Sequence, residues 1–396
     1  MIRLWPLIDA GRTHRHGSSF RFFLRYKEKW FLNMKKNEIY IKKGINYKEM
    51  VLELLEACNL AEDIGNPKKK IGIKPNLVIA AEADGGAVTH PEIVDGVITY
   101  LHAHAFHNIV VLEGSWVGDR TGIAVKRSGI LQVCQKHGVP FADMQKDTAS
   151  VRKSGGMQLK VCDEALSLDY LINLPVLKGH CQTMMTCALK NMKGLIPNTE
   201  KRRFHTMGLH RPIAELNRII HQDFILVDNI CGDLDFEEGG NPVPMNRVLG
   251  FKDPVLCDSF AAQTMGYDPY EIDYIYLAES KGVGSADLSR AQIMDLSPEG
   301  EKERPPKPTG IVKRLEKYIA PQDACSACYG TLIYALRRLS QDGYALDKLQ
   351  NKICIGQGYR GKEGELGVGN CTRCFRHTVA GCPPTAADVV NYLKKL

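Results

Sequence analysis

Between residues 70 and 282 the chain alternates short apolar runs with longer stretches of helical periodicity. KIGIKPNLVIA (70–80), NIVVLEGS (108–115), VPFADM (139–144), MQLKVCD (157–163), DYLINLPVLKGH (169–180) and FILVDNICGD (224–233) read as strands. Residues 90–105, 122–138, 184–195, 211–222, 253–266 and 271–282 read as helices. Pro91 lies in the first turn of the first helix, behind a capping Thr89, and Gly138 closes the second. This alternation predicts an α/β fold, a mostly parallel sheet with helices on both faces. In such sheets ligands sit beyond the carboxyl ends of the strands. Lys74 and Asn76, Glu113 and Ser115, Lys178 and His180, and Asp228 and Asn229 fall at such ends. Each alone serves a turn or a cap equally well, but four such ends together predict a shared cleft.

The rest of the 396 residues is organised around this core. Residues 1–33 are basic and aromatic and read as a disordered or artefactual extension before Met34, with a membrane-surface anchor as the rival reading. Residues 34–290 form the expected α/β domain. The charged, proline-rich stretch 291–320 reads as a linker, and 321–396 as a small C-terminal cysteine-rich metal-binding domain. No run of eighteen apolar residues occurs, so no membrane partner and a cytoplasmic location are expected. The net charge of +7 is spread over short clusters, PKKK (67–70) and KRR (201–203), which argues against nucleic acid.

Six of the thirteen cysteines lie in the last seventy-two residues. Cys325 and Cys328 form one CxxC, Cys371 and Cys374 another, Cys382 precedes two prolines, and Cys354 lies between. Disulfide frameworks belong to small secreted domains, so clustered thiols in a chain this long point to metal. Two CxxC pairs suit a structural zinc. The Cys-Pro ending suits a closing ligand of an iron–sulfur cluster, and the glycine-rich GQGYRGKEGELGVGN (356–370) offers backbone N–H donors to charged sulfurs. Free buried thiols are the third reading.

A second constellation occupies 174–205, LPVLKGHCQTMMTCALKNMKGLIPNTEKRRFH. Lys190 and Lys193 are three apart on the expected helix, so both can project from one face among apolar neighbours. A solvated basic face is the plain alternative. Cations turned into a cleft would hold a carboxylate or phosphate. Lys74, Asn76, Lys178 and Lys193 are therefore candidate cofactor-binding residues. His180, Lys190 and His205 are candidate catalytic ones, the histidines for proton transfer near neutral pH.

The runs KPNLV, THPEIVDGVI, VVLEGS, LPVLKGH, ALKNMKGLIP with its later FH, and MGYDP resemble the family catalogued as domain of unknown function 362, over roughly 69–285. The ending CSAC, GNC, GCPP resembles the iron–sulfur-associated tail of its members. The resemblance implies a four-iron four-sulfur cluster on Cys325, Cys328, Cys371 and Cys382, with Cys374 as a fifth candidate and zinc as the alternative metal. The order His180, Lys190, His205 is also similar to the site of nickel-pincer lactate racemases, although the glycine-rich signature around that family's lysine is replaced here by ALKNMKG. The expected function is an iron–sulfur oxidoreductase or electron-transfer protein acting on an anionic small molecule, with a possible redox partner protein. The alternatives are a proton-transfer enzyme of the racemase or isomerase type, or a non-catalytic binding protein.

Overall fold

Three of the apolar runs have no exposed residue at all: Ile71–Pro75 (β2), Ile109–Glu113 (β3) and Tyr170–Leu174 (β7). Strands buried on both faces belong in the middle of a parallel sheet. The computed structural model describes residues 33–297 and 307–396 and places them there. The expected extension, apart from residue 33, and residues 298–306 of the expected linker lie outside the described residues.

The sheet has eight strands in the order β12-β1-β11-β10-β7-β2-β3-β4. The other members are Glu38–Lys43 (β1), Phe141–Asp143 (β4), Phe224–Asp233 (β10), Pro242–Phe251 (β11) and Gln292–Asp295 (β12), while Ala149–Ser154 (β5) and Met157–Cys162 (β6) pair as a separate hairpin. Only β11 opposes its neighbours; β10, β7, β2, β3 and β4 pair in parallel, and β12 is parallel to β1. Side chains alternate across the sheet. Ile109 and Val111 join the helices Tyr47–Ala57 and Pro91–Ala103 on one face. Val110 and Leu112 join the helices His210–Ile219 and Pro254–Thr264 on the other. Each such aliphatic side chain contributes about 1.5–3 kcal/mol by leaving water.

Some elements differ from the sequence reading. Residues 122–138 make two helices, Thr121–Arg127 and Ile130–His137, because Gly129 between them has φ +82°. The expected helix 184–195 starts as a strand: Lys178–His180 (β8) pairs antiparallel with Met184–Thr186 (β9). Only Ala188–Asn191 is α-helical, followed by a 3-10 turn Met192–Leu195. Apolar spacing over twelve residues cannot distinguish these alternatives. The stretch 291–320 enters the fold at both ends, as the edge strand β12 and as the short helix Ile311–Leu315.

The C-terminal cysteine-rich region builds its own four-stranded parallel sheet, in the order Ile319–Pro321 (β13), Ile353–Ile355 (β14), Leu366–Val368 (β15), His377–Val379 (β16). The helices Ser326–Gln341 and Ala386–Leu393 bury Leu332, Leu336, Val389 and Leu393 in its core. Cys181 and Phe236 of the larger unit pack into that same core.

The ribbon β8–β9 crosses β10 at contact distance because both carry glycine. A Cβ on Gly179 would lie 2.3 Å from the Leu234 carbonyl oxygen, and one on Gly232 1.8 Å from that of Leu177. Gly179 separates Lys178 from His180, so this close crossing positions both. Gly179→Ala is expected to cost about 1–3 kcal/mol, as overpacking against backbone does. A urea midpoint unchanged from the parent would contradict that.

Candidate functional site

The chain runs from β2 outward through β3 to β4 and then returns to β7 on the other side of β2. This reversal opens a crevice at the carboxyl ends of β2 and β7. A cavity of about 600 Å³, mouth included, occupies it. Asn76, Glu113, Trp116, Lys190, Lys193, Lys201, His205, Glu237 and Cys325 are among its lining residues.

Lysine ammonium groups surround the cavity, each held differently. Lys74 is fully buried, paired with Glu113 and donating to the Pro75 carbonyl at 2.9 Å. Gly194 lets this pair approach, since a Cβ there would lie 1.8 Å from Glu113 Oε1. Lys178, also fully buried, donates to the carbonyls of Ala87 at 2.5 Å and Glu237 at 2.9 Å, and to Asn76 Oδ1 at 3.4 Å. Lys201 donates to the carbonyls of Gly114 and Ser115 at 2.7 and 2.8 Å. Lys190 pairs with Glu237 Oε1 at 2.5 Å and donates to Thr186 Oγ1 at 3.1 Å. Lys193 is partly buried and has no hydrogen bond or ion pair among the described residues. Burial and the neighbouring ammonium of Lys190 bring Lys193 down to about 7, while burial takes Lys178 and Lys201 to about 8.

The two candidate histidines are placed for different work. His180 Nδ1 accepts the backbone N–H of Gln182 and of Thr183, both at 3.0 Å. The ring proton must then sit on Nε2, which lies 3.1 Å from Glu237 Oε2. Burial and Lys190 depress His180 to about 4, so it stays neutral beside the glutamate, close to it but without an aligned hydrogen bond at Nε2. Burial alone would raise Glu237, but Lys190 and His180 hold it well below the carboxylate range. His205 is 9% exposed, and its Nδ1 has no hydrogen-bond partner. Burial and then Lys193 push it well below the usual histidine range, leaving a neutral ring facing the cavity.

Asn76, Lys190, Lys193 and His205 thus line one crevice, while Lys74, Lys178 and His180 lie behind its wall, against the lining residues Glu113, Asn76 and Glu237. Lys74 and Lys178 are occupied by internal partners, which leaves Lys193 and His205 as the open groups. Ser115, Asp228 and Asn229 serve other ends: Ser115 Oγ donates to Leu77 O at 2.6 Å, Asp228 accepts from His90 N at 2.8 Å, and Asn229 Oδ1 accepts from Arg247 at 2.6 Å. Glu237 and Lys201 were not singled out by sequence. Lys201 read only as part of a basic cluster, and Glu237 lies 47 residues from its lysine.

The cysteine-rich region closes the crevice. Gln182, in the β8–β9 turn, donates to the Ala324 carbonyl and accepts from Ser326 Oγ, both at 2.9 Å, and so flanks Cys325. Gln357 donates to the Arg202 carbonyl at 3.0 Å. Cys325, Cys328, Cys371 and Cys382 are free thiols that act electrostatically on one another. Burial and then these neighbours raise Cys325, against the pull of Lys193 and Arg202, and lift Cys328 to about 12. Arg360 reaches Cys371. Cys374 is exposed, and Cys354 lies beside Tyr359.

His180 gives the site a pH signature. Its folded value of about 4 lies below the unfolded value of about 6.5, so the unfolded chain takes the proton first and stability falls as pH drops through that window. From pH 6.5 to 4.5 this one ring is expected to remove about 2 kcal/mol. Urea midpoints at both pH values should therefore fall less in His180→Asn than in the parent; equal falls would contradict the assignment.

A curated relative, a thylakoid-associated protein of Synechocystis sp., is 25% identical over 241 residues, covering 58% of this chain and 73% of that protein. Among solved structures, the lactate racemase apoprotein of Thermoanaerobacterium thermosaccharolyticum aligns with a TM-score of 0.40 and 14% identity, covering 59% of each chain. A Thermotoga maritima protein aligns at 0.37 and 16%, covering 60% of each. The chain thus spans about three fifths of the length of these structures. Among the described residues no helix is long and apolar enough to cross a membrane. Residues 71–263, which carry β2, β3, β7, β8 and the lysines of the cavity, match the model of the family described as "Domain of unknown function (DUF362)".

Proposed function

We propose that the chain is an iron–sulfur protein that moves electrons to or from an anionic small molecule. Cys325, Cys328, Cys371 and Cys382 would hold a four-iron four-sulfur cluster at the wall of the lysine cavity. The observation that carries this reading is that Cys325 lines the same cavity as Lys190, Lys193, Lys201 and His205.

The residues present fit such a group. Four mutually coupled free thiols are the donor set a cluster needs. Tetrahedral zinc would draw four sulfurs to about 3.8 Å of one another. Among the described residues, the groups of three or more ligand atoms within 4.8 Å of one another do not include the tail thiols. A cluster places each thiolate on a separate iron and takes a wider set. Lys193, Arg202 and Arg360 supply positive charge beside the thiols. When bound, the group supplies single electrons at a potential set by its surroundings.

The chain's own residues do the rest. Lys193, with no hydrogen bond or ion pair among the described residues, attracts the anion and presents a proton. Lys190 offers a second cation whose position is fixed by Glu237 and Thr186. His180 packs beside Glu237 and pins the β8–β9 turn through Nδ1, and is a positioning residue. His205, neutral with a buried and unpartnered Nδ1, takes or returns the proton that accompanies each electron. Trp116 and Val117 add an apolar wall. The facing pair Lys193 and His205 also supports a second reading, proton transfer without redox chemistry, in which the metal site is structural.

Anaerobically purified variants test the ligand set. Cys325→Ser, Cys328→Ser, Cys371→Ser and Cys382→Ser are each expected to lose most of the broad visible absorbance that dithionite bleaches, while Cys354→Ser and Cys374→Ser keep it. Loss in Cys374→Ser with retention in one of the four would overturn the set. Lys193→Met should keep the absorbance and bind inorganic phosphate about tenfold more weakly or worse; equal binding would remove Lys193 from the anion site.

A further inference from the structure

On the face of the fold that carries the helix Pro91–Ala103, a different set of ligand atoms meets. His90 Nε2, Cys231 Sγ and Asp84 Oδ1 all lie within 4.8 Å of one another. Nε2 is 3.6 Å from Sγ and 3.5 Å from Oδ1. A tetrahedral ion with metal–nitrogen and metal–oxygen bonds of about 2.0–2.1 Å and a metal–sulfur bond of about 2.3 Å sets those edges at about 3.6 Å and about 3.4 Å. Both edges at the imidazole match, and the third, from sulfur to oxygen, is no longer than 4.8 Å.

The surroundings hold these atoms in place. His90 Nδ1 lies 2.8 Å from Asp228 Oδ2. Asp228 is fully buried and is itself fixed by the backbone N–H of His90 at 2.8 Å and of Ile230 at 3.1 Å. Burial alone would lower His90, but Asp228 raises it to about 11, so the metal-free ring carries both protons; a metal at Nε2 releases one, and Asp228 keeps the other on Nδ1, the usual support for a metal-bound imidazole. The Tyr47 ring packs edge-on against the imidazole at 5.5 Å. Cys231 follows a register shift in β10, between Asn229 and Cys231, and such bulges re-aim side chains. Asp84 rides a 3-10 turn that approaches β10 closely. Gly86, at φ +78°, permits the approach, since a Cβ there would lie 2.5 Å from the Cys231 carbonyl oxygen. His90 heads its helix immediately before Pro91.

We propose that Asp84, His90 and Cys231 form a mononuclear site for a divalent transition metal of zinc type, oriented by Asp228 and separate from the tail cysteines. One nitrogen, one sulfur and one oxygen ligand are the donors zinc favours. Three protein ligands leave a fourth position for water. The Asp84 side chain is 96% exposed, so the ion has an entry path from solvent. A bound ion ties the 76–90 loop, which carries Asn76 at the lysine cavity, to β10.

The test uses the whole chain, purified without oxygen and with its iron content measured first. Zinc added against a competing chelator is expected to bind at one equivalent beyond the tail metal. Cobalt is expected to give a thiolate charge-transfer band in the near ultraviolet. Cys231→Ser should abolish the band, His90→Gln should weaken zinc binding at least tenfold, and Asp228→Asn should weaken it about 10- to 100-fold, all at unchanged iron content. Zinc stoichiometry and affinity that are the same in the parent, His90→Gln and Cys231→Ser would overturn the site, as would a parent that takes up no zinc. Because a variant may unfold, iodoacetamide labelling of Cys231 in the parent gives a second readout. Zinc is expected to slow that labelling, and an unchanged rate would also overturn the proposal.

Discussion

The fold depends on burying lysine ammonium groups around one crevice. Taking a charge out of water costs several kcal/mol unless partners replace the water. Glu113 does so for Lys74, Glu237 for Lys190, and backbone carbonyls for Lys178 and Lys201. Those partners lie at the ends of β2 and β3 and beyond β10, so the strand order that brings them together also assembles the cavity. Among the described residues lysines still outnumber carboxylates in the cavity lining, and Lys193 has no hydrogen bond or ion pair. An excess of buried cations is a standing preference for anions, whether ligand carboxylate, phosphate or thiolate-bound metal.

The β8–β9 ribbon carries this electrostatic arrangement to the cysteine-rich region. Its first strand holds Lys178 and His180, and its turn binds the residues on either side of Cys325 through Gln182. His180 Nδ1 accepts the N–H of that same Gln182. A displacement at Cys325 therefore reaches Glu237 and Lys190 through one short hairpin. The close crossing of β8 and β10 makes the hairpin a stiff link.

The parallel sheet was legible because strands buried on both faces leave unbroken apolar runs at regular intervals. The cations were legible for a related reason: Lys74, Lys178 and Lys190 interrupt apolar segments, where a charge needs an explanation. Their partners were not. Ion pairs between residues 39 and 47 positions apart leave no local pattern, so Glu113 read as a strand-end residue and Glu237 went unmarked. β11 was missed because its prolines and polar residues hide an edge-side alternation. The helix expected at 184–195 gave way to a hairpin, since Met and Thr there satisfy either period. The CxxC spacing marked the tail as a metal candidate and the resemblance named Cys325, Cys328, Cys371 and Cys382, but the place of Cys325 on the wall of the lysine cavity was not legible, because it arises between two sheets.

The lysine cavity and the four thiols form one site only if the thiols carry an electron-transferring group. Iron, zinc and acid-labile sulfide counted on the parent protein purified without oxygen test this most directly. The expected result is about four iron and four sulfide per chain at the tail, whatever zinc the Asp84–His90–Cys231 site holds. Tail cysteines holding zinc with no sulfide, or no metal at all, would contradict it and leave an anion-binding α/β domain with a structural appendage.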